Sequence, residues 1–126
     1  MEDAGYVEHR AQSLPARSEL PSCPVETCVE ICGSKWRPLI LRDLLVRPMR
    51  FNELQRSVGS VSSKVLTENL RELERAGIVS RRVYPEVPPH VEYCLTEMGQ
   101  TLRPVIDAMR AWGERYQELA GQGVPA

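Results

Sequence analysis

The sequence predicts a mainly α-helical domain that carries one small β-hairpin as a wing. Three observations predict it. Apolar residues recur at helical spacing through most of the chain. A capped, basic, amphipathic segment, SSKVLTENLRELERAG, stands directly before two short β-branched and aromatic runs, IVSRRVY and HVEYCLT. The loop between those runs, PEVPP, cannot be helix, because proline removes a backbone donor and clashes with the preceding turn. A chain of 126 residues suits one domain with a core that needs no covalent staple.

The elements follow in order. Residues 1–22 are polar, broken by Pro15 and Pro21, and read as a flexible arm. A first helix is expected over Pro24–Cys32. Val25, Cys28, Val29 and Cys32 fall at i, i+3, i+4 and i+7, Pro24 suits the first helical position, and Gly33 ends the helix. A second helix covers about Trp36–Val46. It is apolar nearly all round, so it is central and buried, and Pro38 must sit in its first turn. RPMRF reads as a short extended piece and NELQRSV as a short helix, with Asn52 and Gln55 at the spacing of a capping box.

The clearest helix follows. Ser62 or Ser63 caps it, Leu66, Leu70 and Leu73 form its apolar stripe, and Gly77–Ile78 matches a Schellman stop. The hairpin comes next. A last helix is expected from about Glu97 to Leu119, capped by Thr96 and kinked at Pro104, before a frayed tail at 121–126. Helix, helix, short strand, short helix, long helix, hairpin and long helix is the order of a winged helix-turn-helix, here over residues 23–120. In that architecture the second helix of the motif enters the major groove of double-stranded DNA, and the wing lies on the backbone or minor groove.

The net charge of −1 hides an asymmetry. Residues 1–33 carry two basic and six acidic groups, residues 34–82 eleven and five, and residues 83–126 three and six. A positive middle between negative ends is a localised field of the kind that phosphate recognition needs. A winged helix used only for protein–protein contact is the alternative reading. It would have no need of that middle segment. No apolar run is long enough to span a membrane, and the N-terminus lacks the pattern of a signal peptide, so a cytoplasmic protein is expected. The two histidines, His9 and His90, fall in an arm and a loop, and no catalytic motif accompanies them. No enzyme and no cofactor are expected.

Five stretches stand in a telling order: Cys23-Pro24-Val25 before a helix, Gly33-Ser34-Lys35-Trp36, Arg50-Phe51-Asn52-Glu53-Leu54, LTENLREL at 66–73, and YPEVPPHVEYCLTEMG. Together they resemble the HxlR family of bacterial transcription regulators, over about residues 23–113. The resemblance implies a homodimer on a palindromic operator, joined through the first and last helices. Val25 and Val29 on the first helix, and Leu102, Ile106, Met109, Trp112 and Tyr116 on the last, are the candidate interface. It also implies that some members sense electrophiles or oxidants through the cysteine at the Cys23 position. His90 departs from the arginine often found in the family's wing, and a neutral histidine would meet phosphate only by hydrogen bonding.

Ser62, Ser63, Lys64, Thr67, Glu68 and Arg71 form the candidate DNA face, since hydroxyls and cations reach base edges and phosphates. Arg81, Arg82 and His90 are the wing candidates. Strand alternation puts Arg81 and Arg82 on opposite faces.

Three of the four cysteines stand in CPVETCVEIC, residues 23–32. Their C-x4-C-x3-C spacing is not that of a zinc site, so no metal is expected. Cys28 and Cys32 lie on the apolar stripe and read as packing, and Cys94 as a small hydrophobe in the wing. Cys23 sits at the helix cap, where the helix dipole favours a thiolate and Glu26 opposes it. It is the candidate redox residue, for a small electrophile or oxidant.

Overall fold

The computed structural model describes residues 7–9 and 13–123. Its elements are β1 (Val7–His9), a 3-10 turn (Arg17–Glu19), α1 (Pro24–Cys32), α2 (Arg37–Leu44), β2 (Met49–Arg50), α3 (Phe51–Val58), α4 (Ser63–Arg75), β3 (Val79–Tyr84), β4 (His90–Leu95), α5 (Glu97–Gln100) and α6 (Arg103–Gly121). The strands form one antiparallel sheet in the order β1-β3-β4-β2. β3 and β4 are the expected hairpin, in register from Val79↔Leu95 to Tyr84↔His90. Met49 pairs Tyr93 at one edge, and Val7 pairs Val83 at the other.

That last pairing was not expected. Where the sequence reads as a flexible arm, Val7–His9 adds a strand to the wing and Arg17–Glu19 forms a turn. The sheet supplies what the arm's polar sequence does not advertise: free backbone groups on the outer edge of β3. The rest of the expected arm, 1–6 and 10–12, and the end of the expected tail, 124–126, lie outside the described residues.

The core joins the helices to the base of the wing. Ile40, Leu41 and Leu44 of α2 meet Leu54 of α3, Leu66, Leu70 and Leu73 of α4, Val79 and Leu95 of the hairpin, and Ile106 of α6. Asp43 is buried in α2, and the neighbouring Arg42 guanidinium pairs with it at 2.7 Å. Pairing keeps that buried charge satisfied.

Two expected features take a different form. The short helix α3 begins at Phe51, and its cap is Arg50: the Glu53 carboxylate accepts from the Arg50 N–H at 2.9 Å. Asn52 and Gln55 have the right spacing but sit inside the helix. Gln55 instead donates to the Val61 carbonyl at 3.0 Å and to the Ser63 hydroxyl at 3.3 Å, stitching the turn to the next helix.

The last helix is also not one kinked rod. Pro104 lacks the N–H and crowds the carbonyl four residues back. The chain therefore stops α5 at Gln100, turns through Thr101 and Leu102, and starts α6 with Pro104 in its first turn. Thr96 caps α5 as expected, accepting from the Gly99 N–H at 3.0 Å.

Candidate nucleic-acid interface and cysteine helix

α3 and α4 form the helix-turn-helix. Gly59 makes the turn at φ 124°, a conformation that a residue with Cβ rarely adopts. Ser62 then caps α4, its hydroxyl accepting from the Val65 N–H at 3.1 Å. At the other end, Gly77 at φ 79° closes the Schellman motif. Ile78 N–H bonds the Leu73 carbonyl at 2.9 Å, and Gly77 N–H the Glu74 carbonyl at 3.0 Å. A helix closed at both ends by its own sequence is a rigid element to present to a groove.

Its outer face carries the residues expected there. Ser62, Ser63, Lys64, Glu68 and Arg71 are exposed and Thr67 is half-buried. Ser62 and Ser63 are partly engaged by the cap and by Gln55. Neither Lys64 nor Arg71 is in an ion pair among the described residues, so both cations face solvent unneutralised.

The wing candidates are held more tightly. Arg81 pairs with Glu74 of α4 at 2.9 Å, which braces the wing against the helix. Arg82 is half-buried and stands in register between Glu8 of β1 and Glu92 of β4. His90 bonds the Glu86 carboxylate at 3.0 Å and stacks on Tyr84 with ring centroids 4.3 Å apart. The structure thus brings six candidates onto one helix face and holds Arg81 and His90 of the wing beside carboxylates. Near the same helix, burial and then Glu74 push the Tyr93 hydroxyl above its ordinary range, against Arg81 and Arg71.

Sequence reasoning missed Asn69. It lies in α4 among the leucines and is buried. Its amide donates to the Val65 carbonyl at 2.9 Å. Its carbonyl oxygen faces the Ser34 hydroxyl at 3.1 Å and the Arg37 Nε at 3.0 Å. Arg37 also donates to the Glu30 carbonyl at 2.7 Å, at the end of α1. One polar junction therefore joins the end of α1, the start of α2 and the middle of α4. The polar residue at an otherwise apolar position was the available signal.

On α1, Cys23 is the N-cap and is exposed, and its carbonyl accepts from the Thr27 N–H at 3.1 Å. Cys28 is half-buried, and Cys32 and Cys94 are buried; all four are free thiols. Burial, and then the neighbouring Cys28, push the Cys32 thiol up to about 11. Cys94 contacts the Ser80 hydroxyl at 3.2 Å inside the sheet. Among the described residues no group of three or more metal-ligating side chains comes together.

The apolar stripes of the end helices divide. Val25 and Val29 on α1, and Met109, Trp112 and Tyr116 on α6, are exposed, Trp112 by 67%. Trp112 and Tyr116 stack at 5.2 Å. Ile106, expected at an interface between copies, is buried in the protomer's own core, and Leu102 packs against it. The start of α6 must cover α2, which uses up the first turns of its stripe.

The comparisons agree with this geometry. The model of the HxlR-like helix-turn-helix family matches residues 31–120. The Bacillus subtilis HTH-type transcriptional regulator YdeP is 47% identical over 100 residues, covering 79% of this chain and 78% of its own. The redox regulator HypR in its oxidised form is 46% identical with a TM-score of 0.71, over 74% of this chain and 96% of that one. Diamide-treated YodB from Bacillus subtilis is 39% identical with a TM-score of 0.63, over 75% of this chain and 94% of that one. The chain belongs to the HxlR-like helix-turn-helix family of transcription regulators.

Proposed function

We propose that the protein binds a palindromic operator as a homodimer, with one α4 in the major groove of each half-site. The observation that carries this is the outer face of α4, where Lys64 and Arg71 stand exposed and, among the described residues, without acidic partners on a helix capped at both ends. Ser62, Ser63, Thr67 and Glu68 supply the remaining contacts to bases and phosphates. In the wing, the exposed part of Arg81 meets phosphate, and Arg82 and His90 keep the sheet in position. The exposed stripes of α1 and α6, Val25 and Val29 with Met109, Trp112 and Tyr116, form the interface between copies. They leave a large apolar area in water, and aromatic anchors of this kind are enriched at interfaces. The protein acts in the cytoplasm as a binding protein and not as an enzyme.

Cys23 is the sensing residue in this reading. Its sulfur is exposed at the N-cap of α1, the helix whose other end is tied through Arg37 to Asn69 of α4. Oxidants or electrophiles that modify Cys23 would act on the spacing of the two α4 helices, which half-sites constrain closely. HypR and YodB are described as a redox regulator and as a diamide-treated regulator, which supports the reading.

The test is selection of duplexes from random DNA, followed by titration of the selected duplex at several salt concentrations. A palindromic consensus is expected, with a log–log salt slope of several negative units, about 0.9 per neutralised phosphate. A salt-independent affinity, or no enriched sequence, would refute the DNA reading. Diamide treatment of wild type and Cys23→Ser then isolates the sensing step: equal responses would remove Cys23 from it.

A further inference from the structure

A cavity of about 340 Å³ lies between residues 14–20, α1 and the α5–α6 turn, away from the face of α4. Leu14 and Leu20 line one side, Cys28 and Ile31 of α1 another, and Ile78 and Met98 the rest, leaving it partly open to solvent. Its size is that of small-molecule sites. None of its lining side chains is charged. The few polar groups are already engaged: the Thr27 hydroxyl approaches the Cys23 carbonyl, and the Thr101 hydroxyl bonds the Met98 carbonyl.

The cover is a built piece of structure. The Arg17 guanidinium donates to the Pro21 carbonyl at 3.1 Å and to the Leu20 and Ser22 carbonyls at 3.4 Å. The Glu19 carboxylate accepts from the Ala16 N–H at 3.0 Å. These bonds hold residues 16–22 in a fixed bend above α1. A segment that only covered the core would gain more by collapsing onto it. The space is partly open to solvent, and water inside it finds few polar partners.

We infer that this cavity is a binding site for a small, neutral, mostly apolar molecule of one or two rings. A charged ligand would lose its hydration without meeting a counter-charge. A neutral ring system instead gains apolar contact and displaces poorly bonded water. The inference does not depend on the DNA reading, because it concerns binding alone.

The probes are 2-naphthol and its anionic counterpart 2-naphthoate, titrated into the full-length dimer by calorimetry. Saturable binding of 2-naphthol at one site per protomer is expected, with 2-naphthoate at least tenfold weaker. Bound 2-naphthol should also slow iodoacetamide alkylation of Cys28 severalfold. Cys28→Phe, which fills the cavity, should abolish binding. Thr27→Met is the milder filling variant should Cys28→Phe fail to fold, and should weaken binding at least fivefold. No saturation, equal binding of the two probes, or undiminished binding in a folded filled variant would overturn the proposal. So would binding that appears only after the dimer dissociates, since a second copy would then be filling the cavity.

Discussion

The Arg37 Nε donates to the Asn69 Oδ1 at 3.0 Å, joining two helices that are distant in sequence. The bond sits in a junction that Ser34 completes, and each member satisfies a group that would otherwise be stranded. Arg37→Ala and Asn69→Ala should each lower stability by about 1–3 kcal/mol, the range for partly buried bonds to a charged group. Because they share the junction, the double variant should fall short of the sum by at least about 0.5 kcal/mol. Urea denaturation of the four-member cycle measures both. Strict additivity would mean that the junction carries no joint energy.

The α4 cations and the wing histidine should separate in a binding assay. Lys64→Ala and Arg71→Ala should each weaken operator binding by about 1–3 kcal/mol if they reach bases, and by less, with a smaller salt slope, if they reach phosphate. His90→Ala should change affinity far less, because its ring is occupied by Glu86 and Tyr84. A larger loss at His90 than at Lys64 would move the contact surface onto the wing.

Most of this architecture was legible in the sequence because it is written locally. Periodicity located α1, α2 and α4, and Gly77 with Ile78 fixed the end of α4. PEVPP separated the wing strands. What was not legible depended on partners remote in sequence. Asn69 shows in the sequence only as a polar break in an apolar stripe, and its bonds exist only once Ser34 and Arg37 arrive. Val7–His9 becomes a strand only when β3 offers its edge. Ile106 and Trp112 belong to one periodic stripe, yet α2 covers the first and leaves the second exposed. The alternation that put Arg81 and Arg82 on opposite faces could not show that Glu74 would hold one of them.

Sedimentation reads the proposed interface directly. Wild type should be dimeric at micromolar concentration. Trp112→Ala and Val29→Glu should shift it toward monomer by at least tenfold in dissociation constant, since each alters an exposed apolar residue. Neither should disturb the protomer's fold, because neither side chain is buried in it. An unchanged dimer in both variants would place the interface elsewhere.

The thiols should react in the order of their exposure, Cys23 first and Cys32 among the slowest. With its thiol raised to about 11, Cys32 presents roughly one thiolate in ten thousand at pH 7. Mass-resolved alkylation of the native protein gives the order. The same shift has a consequence for stability. The unfolded chain ionises this thiol near 9.0, and the folded chain only near 11. Stability from this group is whole below pH 9 and falls as pH rises through that window. Cys32→Ala should flatten the alkaline limb of the stability profile, whatever it costs at neutral pH.

The sheet order also sets a timetable for synthesis. β1 leaves the ribosome before the helices, yet its partner is the stretch around Val83, made well after it. The helix-turn-helix is different: α2, α3 and α4 are neighbours in sequence and close their core over short loops. Contacts between near neighbours form quickly, whereas distant pairings wait on loop closure. The helix-turn-helix should therefore be structured while the wing still lacks its outer strand. In refolding followed by pulsed hydrogen exchange, amides of α4 should gain protection before those that join β1 to β3. β1 would then take its place after α4, although it is made before it.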